Sequence, residues 1–251
     1  VWSEYLADYY GTNAQSAWYA TGATPRAGTG DNYAVGGARV GTDAAGTLGH
    51  TPSLNTQVNE YLRRTGGKAN PNALYTVWGG ANDLFAVQAN PAQAQAIIGA
   101  AVTDQIGVVG TLANAGARYI LVPNLPDIGL TPASRAGGAM AMAQGTALAN
   151  AYNTALYGGL AQAGLKVIPL DTFTVLQEIV ANPGVYGFTN VSGTACQPQV
   201  TAQSITCNPT TYVRPDAANT YVFADGVHPS TAAHKILGDY AVSVLEAPRL
   251  Q

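Results

Sequence analysis

Four short β-prone apolar runs, Ala73–Trp78, Arg118–Val122, Lys166–Leu170 and Tyr221–Phe223, are separated from one another by helical patterns of ten or more residues. This order restricts the fold more than any other feature of the chain. Strands divided by a helix are joined by crossovers rather than hairpins, and crossovers build parallel sheets. The alternation therefore predicts an α/β fold made of βαβ units. A first helix carries Trp2, Tyr5, Leu6 and Tyr9 at helical spacing and stops at Gly11. Thr51-Pro52 has the form of a cap followed by a first-turn proline, opening a helix whose face of Val58, Tyr61 and Leu62 runs to Gly66-Gly67. Asn90-Pro91 opens a long helix with Ile98, Val102, Ile106, Val109 and Leu112 on one face. Further helices are expected over 133–164, over 172–181 and after Pro229, a strand over Asn32–Val35, and a loop over 182–220. No repeat or second domain is visible, so residues 1–251 are read as one domain.

Composition removes several function classes. Charged residues are only 10% of the chain and the formal net charge is -3, which leaves neither a basic patch for nucleic acid nor a polybasic membrane anchor. Apolar residues are 47% of the total but are spread over periodic segments, with no uninterrupted run near the roughly 18 residues of a membrane span. Cys196 and Cys207 share one Thr-, Ser-, Asn- and Pro-rich segment. A local disulfide in a surface loop is favoured over two unrelated thiols; it would stabilise the fold by roughly 3 kcal/mol and points to an oxidising compartment. No further Cys or His stands near enough for a metal site, and no cofactor is expected. The chain opens on Val1 rather than Met, so its beginning is expected to have been processed, truncated or left out.

Three strand ends carry candidate chemistry. In Phe223-Ala-Asp225-Gly-Val-His228-Pro-Ser230 an acid and an imidazole stand three residues apart where a strand meets a helix. A carboxylate that accepts from one ring nitrogen fixes the tautomer and leaves the other nitrogen as a general base. The plainer alternative makes Asp225 a helix cap and His228 an ordinary loop residue. Gly226 is expected to permit an unusual turn, and Ser230 or Thr231 to cap the helix. The second strand end, Gly79-Gly80-Ala81-Asn82-Asp83, offers a side-chain amide at Asn82, with a self-contained turn as its alternative. In the third, Gly36-Gly37, a backbone N–H could face a ligand unobstructed, or the pair could form a plain turn. His50 and His234 have no acid at useful spacing and are read as surface or helix residues.

Together, Gly80-Ala-Asn82-Asp83, the Asp225-x-x-His228-Pro block and Asn32-Tyr-Ala-Val-Gly-Gly37-Ala resemble the SGNH/GDSL hydrolase family of serine esterases and lipases, over essentially the whole chain. The runs NYAVGGARV, ALYTVWGGANDLF, VPNLPDIGLTP, YGFTN and FADGVHPSTAAH are most similar to esterase passenger domains of bacterial autotransporters and their secreted relatives. The resemblance implies a three-layer α/β/α domain with a mostly parallel, flavodoxin-like sheet, and ester hydrolysis through an acyl-enzyme. It assigns His228 as base, Asp225 as its orienting acid, and the Asn82 amide and Gly37 N–H as oxyanion donors, with Gly36 less suited and Asp83 structural. It also implies a small acyl ester or lipid as substrate and a secreted or bacterial cell-surface location, and leaves open an outer-membrane barrel in the full-length precursor.

The chain departs from the family at the nucleophile, a serine in a Gly-Asp-Ser block at the end of a central first strand. Ser3, Ser16, Ser53, Ser134, Ser192, Ser204, Ser230 and Ser243 all stand outside G-D-S and G-x-S-x-G. That strand and serine are therefore expected on an N-terminal segment outside the chain, which would be a partner if cleaved. The competing reading is an inactive relative that binds lipid or carbohydrate. A metal-dependent hydrolase is poorer, since one His and one Asp are too few ligands.

Overall fold

In the computed structural model every residue is described other than 20–25, 47–48, 202 and 248–251. Along the chain α1 (Trp2–Tyr9) precedes an antiparallel ribbon of β1 (Trp18–Tyr19) and β2 (Arg26–Ala27) and a second ribbon of β3 (Ala44–Gly46) and β4 (Gly49–Thr51). There follow α2 (Leu54–Arg64), β5 (Leu74–Thr76), α3 (Ala81–Ala89), α4 (Ala94–Asn114) and β6 (Tyr119–Pro123). Next come α5 (Pro132–Ala136), α6 (Gly138–Gln162), β7 (Ile168–Leu170), α7 (Thr172–Ala181) and β8 (Asn190–Thr194). The last elements are α8 (Ala217–Thr220), β9 (Tyr221–Phe223) and α9 (Thr231–Glu246).

The chain falls into two compact units, and one of them comprises residues 14–125 and 150–170. Its centre is the parallel sheet β5-β6-β7, in which Leu74 stands opposite Tyr119 and Leu121 opposite Ile168. β6 is the middle strand, and its Ile120, Leu121 and Val122 are buried, as a strand with neighbours on both sides requires. α4 packs on α2 and α3 through a face that buries Val102, Val109 and Leu112. With its preceding turn this helix spans Pro91–Asn114 and has a mean hydropathy of 1.5, long and apolar enough by composition to cross a membrane. It is not an uninterrupted apolar run, because Thr103, Asp104 and Gln105 stand within it. Gly80 caps α3 at φ 106, and a Cβ there would lie 2.4 Å from the Tyr152 ring, so only glycine fits this strand-to-helix turn.

The other unit comprises residues 1–13, 126–149 and 171–251. β8 runs parallel to β9, and Ile179, Phe188, Val222, Phe223 and Ala233 form the core behind them. α1 lies against α9. Their close approach depends on Gly238, where an added Cβ would sit 2.8 Å from the Cβ of Tyr5.

Parallel strands linked through helices give the α/β class that the alternation predicts, and several local expectations are corrected. Asn32–Val35 is not a strand; Asn32 makes one isolated bridge with Ser16, and its Oδ1 accepts the Ala34 N–H at 3.0 Å, which turns the chain. Thr51 belongs to β4, and Ser53 caps α2 by accepting from the Thr56 N–H. The helical run over 133–164 is two helices, broken at Gly138 with φ 81. The loop over 182–220 contains β8 and α8: Asn190–Thr194 has no apolar alternation and is a strand because it borders β9. Tyr9, placed on the buried face of α1, is 55% exposed.

Candidate active site

The chain reverses sharply after β9. The Ala224 N–H donates to the His228 carbonyl and the Ser230 N–H to the Val222 carbonyl, both at 2.8 Å. Inside this loop Asp225 Oδ1 accepts the backbone N–H groups of Val227 at 2.9 Å and His228 at 2.7 Å. The aspartate side chain, rather than glycine freedom, makes the turn: Gly226 is not among the positive-φ glycines, which corrects the expectation for that position. The same carboxylate holds the imidazole, with His228 Nδ1 2.8 Å from Oδ2 and 3.0 Å from Oδ1. The helix cap is Ser230, whose hydroxyl accepts from the Ala233 N–H at 3.2 Å. Asp225 is therefore free to serve the histidine.

Burial separates the two partners. The Asp225 side chain is 5% exposed and that of His228 60%. Burial alone would raise the Asp225 pKa, but the His228 ring hydrogen bond, the amides of Val227 and His228 and the imidazole charge outweigh it and hold the carboxyl below its usual range. The hydrogen bond to Asp225 raises the His228 pKa, against an opposing contribution from burial. An ionised carboxylate only accepts, so Nδ1 carries the proton and the neutral ring has its lone pair on Nε2. This is the arrangement of an oriented general base.

Gly37 and Asn82 both lie in the unit built on β5-β6-β7. Gly37 has φ 80, is exposed, and has no atom within 4 Å of where a Cβ would stand. It sits in a turn in which the Ala38 N–H donates to the Val35 carbonyl at 3.2 Å. Asn82, second residue of α3, donates from Nδ2 to the Ala38 carbonyl at 2.9 Å, so it ties down the glycine loop and not only its own turn. The Nδ2 group has a second hydrogen to donate. Asp83 accepts from the Val40 N–H and from Arg39 Nε, each at 3.1 Å, while 3% exposed. Burial raises its pKa, with the Val40 amide and Arg39 opposing. Sequence reading missed Arg39, because nothing in the local pattern marks an arginine 44 residues from its acid.

The remaining candidates have other duties. His50 does have an acid partner, contrary to expectation: its Nε2 is 3.0 Å from Asp43 Oδ2, brought there by the β3-β4 hairpin, with both side chains about one-third exposed. His234 is a helix residue whose Nδ1 accepts the Trp2 N–H at 3.3 Å; burial lowers its pKa to about 4. Ser53 and Ser230 are helix caps, and the Ser134 hydroxyl donates to the Ile128 carbonyl at 2.7 Å. Cys196 and Cys207 form the disulfide, with Cα atoms 5.8 Å apart.

Most of the chain is similar in sequence to known proteins. A family model described as GDSL-like Lipase/Acylhydrolase matches residues 1–241. Lipase 1 of Photorhabdus luminescens is 31% identical over an alignment covering 87% of this chain and 43% of that protein. Esterase EstA of Pseudomonas aeruginosa is 36% identical over 87% of this chain and 35% of its own length. The GDSL esterase/lipase APG of Arabidopsis thaliana is 33% identical over 49% of this chain and 37% of its own. The chain thus spans less than half the length of these relatives.

Proposed function

Because the chain belongs to the GDSL-like lipase/acylhydrolase family, we propose that it hydrolyses carboxylic esters through a serine acyl-enzyme, with His228 as general base and Asp225 as its orienting acid. The observation that carries this reading is the buried Asp225 carboxylate on Nδ1 of an exposed imidazole. His228 Nε2 takes the proton of the serine hydroxyl as the serine oxygen attacks the ester carbonyl. The proton then passes to the departing alcohol, and in the second half the same nitrogen activates water. The Asn82 amide and the Gly37 N–H donate to the carbonyl oxygen as it becomes an oxyanion.

None of the eight serines stands in the expected block, so the nucleophile is assigned to a Gly-Asp-Ser segment outside these 251 residues. The substrate class is small acyl esters or lipids. The disulfide supports a secreted or cell-surface location. The test is to join a Gly-Asp-Ser segment from a family member to the N-terminus, then assay p-nitrophenyl esters and labelling by a fluorophosphonate. Turnover with one label on that serine, both abolished by His228→Ala, is the expected result. Tight lipid or glycan binding with neither turnover nor label would instead make the protein a binding module.

A further inference from the structure

We propose that the disulfide-closed loop 196–207 is part of the catalytic apparatus, with the backbone N–H of Ser204 positioning the Asp225 carboxylate. The proposal rests on the reading of Asp225 and His228 as the base pair. Oδ1 of Asp225 is held by its own loop through the amides of Val227 and His228. Oδ2, the oxygen nearer His228 Nδ1, receives a donor from elsewhere in the chain: the Ser204 N–H at 2.6 Å, from 21 residues away.

Ser204 opens the 3-10 turn Ser204–Thr206, in a polar stretch between the two cysteines. Its place is set by covalent closure. The Ser204 carbonyl accepts the Cys207 N–H at 3.0 Å, Cys207 is bonded to Cys196, and the Cys196 N–H donates to the Ala224 carbonyl at 3.0 Å, one residue before Asp225. Cys196 is buried, and its sulfur is 3.2 Å from the Thr211 hydroxyl oxygen. A ring of bonds thus leaves the carboxylate through Ser204 and returns through Ala224. An N–H aimed at the ionised carboxylate favours that form and limits its rotation, so the oxygen facing the imidazole stays in line. The donor is the Ser204 backbone N–H, so the requirement at this position is a backbone amide and not a particular side chain.

Ser204→Pro deletes that donor with little distortion. Proline suits the first position of a helical turn, and Gln203 at φ -128 and ψ 134 has the extended backbone that a following proline needs. By carbon-detected NMR the Asp225 carboxyl of Ser204→Pro is expected to titrate at a higher pH than in the parent, whereas Ser204→Ala, which keeps its N–H, titrates with the parent. Independently of how the proline variant folds, the Ser204 amide proton is expected well downfield in the parent and to move upfield in Asp225→Asn. In protein supplied with its nucleophile, Ser204→Pro lowers kcat by about tenfold and leaves KM within about twofold. An Asp225 midpoint unchanged in Ser204→Pro, or a Ser204 amide shift indifferent to Asp225→Asn, overturns the proposal even where ester hydrolysis is found. The expected shifts without ester turnover would sustain the positioning role and defeat the esterase reading alone.

Discussion

Asp83 and Asp225 are both carboxylates buried to within a few percent of completely, each just beyond a parallel strand, yet their environments drive them in opposite directions. Asp225 accepts N–H donors from its own loop, from Ser204 and from His228; those from the His228 ring and the Val227 and His228 amides outweigh burial and depress its pKa. Asp83 accepts from the Val40 amide and from Arg39 Nε, but burial prevails, so its pKa is raised. A sequestered carboxylate stays charged where hydrogen bonds and a cationic partner outweigh burial, and its pKa rises where they do not. The two also serve different ends: Asp225 presents its charge to an imidazole that reaches solvent, whereas Asp83 locks the Arg39–Val40 backbone behind the glycine loop.

The contrast is testable from the largest effect downward, with the protein supplied with its nucleophile for kinetics. Asp225→Asn, which reverses the tautomer preference of His228, is expected to lower kcat by about 10,000-fold, and His228→Ala by a similar factor. If Asp83→Asn lowers kcat equally, the division of labour between the two acids is wrong. Asn82→Ala comes next, with a loss of about 100- to 1,000-fold in kcat for one oxyanion donor; an unchanged kcat with lowered stability would reduce Asn82 to a tie on the Ala38 carbonyl.

Asp83→Ala strands the Val40 N–H and should lower stability in urea unfolding by about 2 kcal/mol, since Arg39 can still reach water. The smallest effects are in pH dependence. Asp225 contributes stability that is complete above its ordinary value of 3.8 and is lost as pH falls through its depressed folded value. Asp83 acts in the opposite sense: folding disfavours its charged form, so stability is gained as it protonates below its raised value. In urea unfolding across the acid range, Asp225→Asn should flatten the acid-side loss and Asp83→Asn should steepen it. His228, raised above 6.5, contributes stability that is complete below that value and is lost as pH rises past its folded pKa. For the same reason the acid limb of kcat/KM should lie above pH 6.5 and move lower in Asp225→Asn.

The Asp225–His228 contact was legible in the sequence because both partners lie within one tight loop, where a three-residue spacing nearly dictates the geometry. The strands β5, β6, β7 and β9 were legible for a related reason, since each is a short apolar run that announces itself. β8 was not, because Asn190–Thr194 owes its extended form to β9. Likewise the cysteines indicated a staple, while nothing near Ser204 indicated an amide aimed at a carboxylate 21 residues on.

By itself, then, the sequence determined the α/β class, the pairing of acid with imidazole and the disulfide, all of which depend on residues close together in the chain or on periodicity. Only the tertiary structure decided that Asn82 and Asp83 anchor the glycine loop, that His50 meets Asp43, and that Ser204 reaches Asp225. Those contacts join segments through packing and chain reversal, and the burial that raises the pKa of Asp83 is a product of the same packing.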